Sequence, residues 1–80
     1  MIVLYKKEGD QERKVAAFIN LRQAYIWSCA NGIMNSKYVE LSVKMNDYIK
    51  MKKPSEKYPD TELYRFSKEE GDLFQPFILF

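Results

Sequence analysis

The chain has no histidine, and that absence alone removes most common catalytic designs. Without imidazole there is no Ser-His or Cys-His nucleophile pair, no histidine metal ligand and no ordinary proton shuttle near neutral pH. Cysteine occurs once, at Cys29. A single thiol makes neither an internal disulfide nor a cysteine-cluster zinc site, which agrees with a reducing compartment. With no base to activate it, Cys29 reads as a small buried apolar residue rather than a nucleophile. Glycine and proline are scarce, three of each, and no segment is repetitive, so a folded chain is expected rather than a disordered tail. No apolar run, Phe77-Ile-Leu-Phe80 included, comes near the roughly 20 residues that span a bilayer. Met1-Ile-Val-Leu-Tyr5 runs directly into Lys-Lys-Glu, which is not a secretory signal. The expectations are one compact domain over residues 1–80, a cytoplasmic location, no membrane, no metal, no cofactor and no enzymatic activity.

What is present is an aromatic-rich chain, 15% Phe, Trp and Tyr, with an uneven charge. Residues 1–35 carry five basic and three acidic groups, residues 36–57 six and three, and residues 58–80 two and five. A basic middle beside an acidic end can steer a molecule toward a charged partner, or it can be compensated within the fold.

The clearest element is a helix from Asn20 to Asn31. Asn20 is a good N-cap with Gln23 at capping-box spacing, Asn31-Gly32 supplies a left-handed stop, and no proline or glycine intervenes. At about 100° per residue, Leu21, Ala24, Tyr25, Ser28 and Cys29 form one stripe. Ile26, Trp27 and Ala30 lie elsewhere on the helix, so it is apolar over most of its circumference and needs cover on more than one side. That cover is either intramolecular or a partner centred on Trp27.

Before it, Ile2–Tyr5, the turn signal Glu8-Gly9-Asp10-Gln11 and Arg13–Ile19 read as a β-hairpin with two apolar faces. After it, Val39, Leu41, Val43 and Met45 alternate with Glu40, Ser42 and Lys44, then Asn46-Asp47 leads into a second run to Lys53. This predicts a second hairpin. The competing pattern is a helical stripe of Tyr38, Leu41, Met45, Tyr48 and Ile49 with Ser36 as N-cap. The hairpin is preferred because Val39 and Val43 are β-branched and lie off that stripe. Lys53 to Asp60 is a loop by its prolines, and Thr61–Phe66 is expected to rejoin the sheet. Glu70-Gly71-Asp72 is a turn, and the apolar tail Leu73–Phe80 closes the fold, with Pro76 placing it at a sheet edge.

Two local resemblances are present. Phe18-Ile-Asn-Leu-Arg-Gln-Ala24 resembles, over seven residues, the helix start of small DNA-binding modules attached to some nucleases. Ser28, Gly32, Ile33, Tyr38 and Leu41 resemble the small, glycine and apolar positions of a helix-turn-helix, whose second helix reads the major groove. Asn31 departs from that motif, which has an apolar residue before the glycine. The second resemblance implies that Ser36, Lys37, Glu40 and Lys44 would face DNA.

The fold expectation is therefore α+β: a small two-layer domain with an N-terminal hairpin, one central helix, a second hairpin and a C-terminal edge segment. Glu69, Glu70 and Asp72, with Asp60 or Glu62, are a candidate carboxylate site for Mg²⁺, but acidic residues beside a glycine are normally an exposed turn. The functional expectation rests on surplus apolar surface, since a domain this small has few interior faces to absorb it all. It is a non-catalytic protein-binding module that regulates or inhibits a partner by surface occlusion, with Ile26, Trp27, Phe77 and Phe80 as anchors. Homodimerisation would use the same surplus. Compact chains without catalytic equipment are also the kind that viruses and mobile elements direct against host machinery. The alternative is nucleic-acid binding through Lys44, Tyr48, Lys50, Lys52 and Lys53, where positive charge alternates with rings that can stack on bases.

Overall fold

A computed structural model describes residues 1–49 and 63–80. Six elements run in the order β1 (Ile2–Glu8), β2 (Gln11–Phe18), α1 (Leu21–Ala30), α2 (Ser36–Met45), β3 (Tyr64–Lys68) and β4 (Phe77–Leu79). The strands form one antiparallel sheet in the order β3-β1-β2-β4. The α+β expectation holds, as do the N-terminal hairpin and the C-terminal edge strand.

The hairpin follows from its turn. Gly9 takes φ 63°, a left-handed conformation that costs glycine little and reverses the chain between two strands rich in β-formers. The register shifts between Leu4 and Tyr5, which pair with Ala16 and Lys14, so Val15 is the extra residue of a bulge. Ile2, Leu4, Ala16, Phe18, Tyr64 and Phe66 form the sheet's share of the main core, and Ala24, Ile33, Met34 and Val39 come from the helices and the turn between them. Val3 and Ala17, on the other face by alternation, are also fully buried. Over Ile2–Leu4 and Ala16–Phe18 both faces of the central strands are therefore apolar and buried, whereas Lys7, Glu8 and Gln11–Lys14 at the turn end are exposed.

Helix α1 keeps both predicted caps. Asn20 Oδ1 accepts the Gln23 N–H at 2.9 Å, and at the other end Gly32 adopts φ 67° while its N–H reaches the Cys29 carbonyl. Cys29 itself is exposed, contrary to the buried place expected of it. The inner stripe is narrower than the apolar pattern implied and is filled by Ala24 and Ser28.

The second hairpin expected over residues 39–53 is not formed. Residues 36–45 are helix α2, capped by Asn35, whose Oδ1 accepts the Tyr38 N–H at 3.1 Å, and closed by Asn46 in the left-handed region. Ser36 is the first helical residue and not the cap. The reason lies in which residues face inward. Val39 and Ser42 are buried, with Val43 and Tyr38 packed partly against the core, whereas Leu41 and Met45 are exposed. The true stripe is Val39, Ser42 and Val43 at i, i+3, i+4 spacing, and its central member is a polar residue that a hydrophobic pattern does not count. Residues 50–53 of the expected hairpin and the loop after them lie outside the described residues.

Two buried serines tie these pieces together. Ser28 Oγ donates to the Met34 carbonyl at 2.6 Å and accepts the Met34 N–H at 3.1 Å, folding the turn between the helices back onto α1. Ser42 Oγ donates to the Asp47 carbonyl at 2.8 Å and accepts the Phe66 N–H at 3.0 Å, fastening the end of α2 to β3. Buried polar atoms are costly unless paired, and among the described residues no buried side-chain N or O lacks a partner.

Candidate interaction surface

Phe18 organises the apolar rim. It is fully buried near the free end of β2, and its ring lies 5.4 Å from that of Trp27 on α1 and 6.4 Å from that of Phe77 on β4. Two of the four predicted anchors, Trp27 and Phe77, therefore converge on one buried ring although fifty residues separate them in sequence. Trp27 is half-buried in that contact, and Ile26 beside it is 54% exposed. Phe80 lies on the opposite face of β4 from Phe77 by alternation. Its N–H donates to the Val15 carbonyl, and Lys14 Nζ stands 5.8 Å above its ring.

The tail contributes more than was expected of it. Ile78 and Leu79 are exposed as well, and Phe74 just before the strand is fully so. No charged residue occurs between Leu73 and Phe80. At the end of β2, Ile19 is also exposed, and it borders a cavity of about 360 Å³ lined mainly by Met1, Ile2, Leu21 and Val43. Exposed apolar residues therefore lie on both faces of β4 and at the end of β2, and large exposed apolar groups of this kind often mark interaction sites. The run Leu73–Phe80 was the signal for it, but its approach to Phe18, the ring that Trp27 also meets, depends on the β2/β4 register, which no local pattern encodes.

The residues of the nucleic-acid alternative are not brought together. Lys44 sits in the last turn of α2, near Lys37, Glu40 and Leu41. Tyr48 lies beyond that helix rather than on a strand. Its hydroxyl donates to Glu12, and Lys7 Nζ lies 5.8 Å above its ring. That ring is occupied within the fold. Lys50, Lys52 and Lys53 lie outside the described residues. The helix-turn-helix placement does find its two helices, with Lys37, Glu40 and Lys44 on the exposed side of α2.

A polar network that the sequence did not announce holds Tyr48 in place. Arg65 makes a bidentate ion pair with Glu12, at 2.9 and 3.0 Å, donates to Asn46 Oδ1, and lies 4.7 Å from the centre of the Tyr5 ring. The Tyr5 hydroxyl donates in turn to Glu69. The hydrogen bonds from Arg65, and then from Tyr48, hold the Glu12 carboxyl below its ordinary range. Burial first, and then Glu69, push Tyr5 up to about 12.

Both shifts fix a pH dependence. A lowered carboxylate pKa contributes stability that is complete above the ordinary value of 4.5 and is lost as pH falls through the folded value. A raised tyrosine pKa contributes stability that is complete below 10 and is lost as pH rises toward about 12. Glu12→Gln is accordingly expected to flatten the acid limb of a stability–pH curve from urea titrations, and Tyr5→Phe the alkaline limb. Glu12 is about a third exposed, so solvent screening keeps its share near or below about 1 kcal/mol.

Among the described residues no three His, Cys, Asp or Glu side chains come together as metal ligands, and Glu69 is engaged by Tyr5. No helix among them is long and apolar enough to cross a membrane. Fold and surface define a small α+β domain with an apolar sheet edge. Compared with family models, with curated proteins and with solved structures, the chain finds no match in any of the three.

Proposed function

We propose that the chain is a non-catalytic protein-binding module that acts in the cytoplasm and regulates or inhibits a partner protein by covering part of its surface. One observation carries the reading: β4 exposes Phe77, Ile78 and Leu79 in an uncharged run, and Phe77 approaches the same buried Phe18 ring as Trp27. Aromatic and large aliphatic residues clustered this way are the types that anchor interfaces. The cavity beside Ile19 adds a recess able to take a partner's apolar side chain. Exposed Arg22 and the lysines of α2 then supply steering and specificity at the margin.

The test is capture by the tagged chain from its native lysate, with and without nuclease and washed at low and high salt. A near-stoichiometric protein that survives both treatments, and is lost with Ile26→Asp or Phe80→Asp, is the expected result. Both positions are exposed, so these changes leave the core intact. Apolar interfaces hold as salt rises, whereas phosphate contacts weaken steeply. Binding that vanishes with nuclease or salt, and with Lys37→Glu/Lys44→Glu, transfers the function to nucleic acid.

A further inference from the structure

We infer that the recess beside Ile19 is a binding site for an aliphatic carboxylate, a saturated chain that ends in a single negative charge. The inference goes beyond the partner-binding reading, which rests on β4, and names the ligand that the recess itself recognises.

The sheet and both helices build the site. Ile2 pairs with Phe18 on one side and with Lys68 on the other, so these three residues form a row at one end of the sheet. Phe66, two residues before Lys68, lies in the core, and strand alternation turns Lys68 toward the same face. Beyond that row the chain runs through Ile19 and Asn20 into α1, and Val43 approaches from α2. The space between them is about 360 Å³, at the lower end of the roughly 300–1,000 Å³ typical of small-molecule pockets. Its walls are Met1, Ile2, Ile19, Leu21 and Val43, and the polar residues on it are Asn20 and Lys68. Ile2 is itself buried, and Leu21 and Val43 pack against the core.

Charge decides which apolar molecule enters. Lys68 is the one charged side chain among the described residues that line the recess. It is exposed and makes no ion pair among the described residues. The carboxylate next to it in sequence, Glu69, lies on the opposite face of the strand and accepts from the Tyr5 hydroxyl. The start of α1 adds to the same sign. Asn20 Oδ1 caps the Gln23 N–H and leaves the Leu21 and Arg22 N–H groups without a partner among the described residues, at the positive end of the helix dipole. A negative group at the rim therefore meets a cation and a helix start, whereas an ammonium ligand meets Lys68 as a like charge. The apolar walls take the chain that follows. A peptide chain end carries the same carboxylate but brings an amide N–H with it. The one side-chain oxygen on the lining, Asn20 Oδ1, is already bonded to Gln23, so a saturated chain, which asks for no acceptor, is the better occupant.

The test is titration of octanoate into the purified, isotope-labelled full chain, followed by amide NMR, with octanol as the uncharged chain of the same length. The expected result is one saturable site whose largest shifts fall at Ile2, Ile19, Leu21 and Val43. Octanoate is expected to bind about tenfold more tightly than octanol, the combined effect of an exposed ion pair and a helix start. Lys68→Gln is expected to weaken octanoate about threefold and to leave octanol unchanged. Ile19→Glu, at an exposed position, sets a carboxylate on the rim and is expected to abolish octanoate binding while far-UV circular dichroism is retained. Phe80→Asp is expected to change nothing. No saturable site, shifts that lie away from the recess, or octanol equal to octanoate overturns the inference. An acetylated peptide ending in leucine with a free carboxylate that binds more tightly than octanoate overturns it as well, because the occupant is then a chain end. No partner is present in this measurement, so a chain that ignores octanoate and still captures a protein through Ile26 and Phe80 loses the ligand alone.

Discussion

Replacing Phe18 by alanine is expected to cost about 3–5 kcal/mol, the usual range for truncating a fully buried phenylalanine. A domain of this size has only about 4–12 kcal/mol of total stability, so the variant loses a large share of it. Phe18 meets Trp27, Phe66 and Phe77 within 6.4 Å between ring centres. The cavity left behind therefore opens α1, β3 and β4 at once, and there is no single neighbour that can collapse into it. Urea unfolding followed by circular dichroism reads the loss, and a red shift of Trp27 emission reports that its buried contact has gone. A cost below about 1 kcal/mol means the ring cluster is not the centre of the fold.

Ser42→Ala is expected to cost roughly 2–3 kcal/mol. Its hydroxyl serves two backbone groups, the Phe66 N–H and the Asp47 carbonyl, and an alanine leaves both without that partner. The adjacent control is Ser36→Ala, at an exposed position, where a change within about 0.5 kcal/mol is expected. Ser42→Ala has a second expected effect that a loss of stability alone does not produce. With Phe66 N–H released, β3 becomes a more open edge, and sedimentation is expected to show more self-association than the wild type at equal concentration. If stability falls and association does not change, the serine is a fastening and not a guard.

Both serines show where sequence reading reaches and where it stops. The first hairpin was legible because Ile2–Tyr5 and Arg13–Ile19 flank a turn whose glycine has few alternatives. Helix α1 was legible because Asn20 and Gly32 mark both ends within one local window. Helix α2 was not, since its inner stripe pairs two β-branched valines with Ser42, and that combination imitates alternation. The buried serine is favourable only because Phe66 and Asp47 stand ready to bond it, and Phe66 is twenty-four residues away. Long-range pairing also hid the Glu12–Arg65 network, whose members are fifty-three residues apart. The surface was half legible: Trp27 and the apolar tail were visible as types, but their meeting over Phe18 exists only once β4 lies beside β2.

The place of β1 between β2 and β3 also sets an order of assembly. Its pairing with β2 closes across a tight turn, and hairpins of that kind form in about 1–10 μs. Its pairing with β3 joins Ile2 to Lys68 across most of the chain, and such distant contacts carry a loop-closure entropy that slows folding. Until Tyr64–Lys68 arrive, the hairpin holds Ile2, Val3 and Leu4 on an unpaired edge. Closing the β1–β3 pairing is then expected to be the slow step of folding.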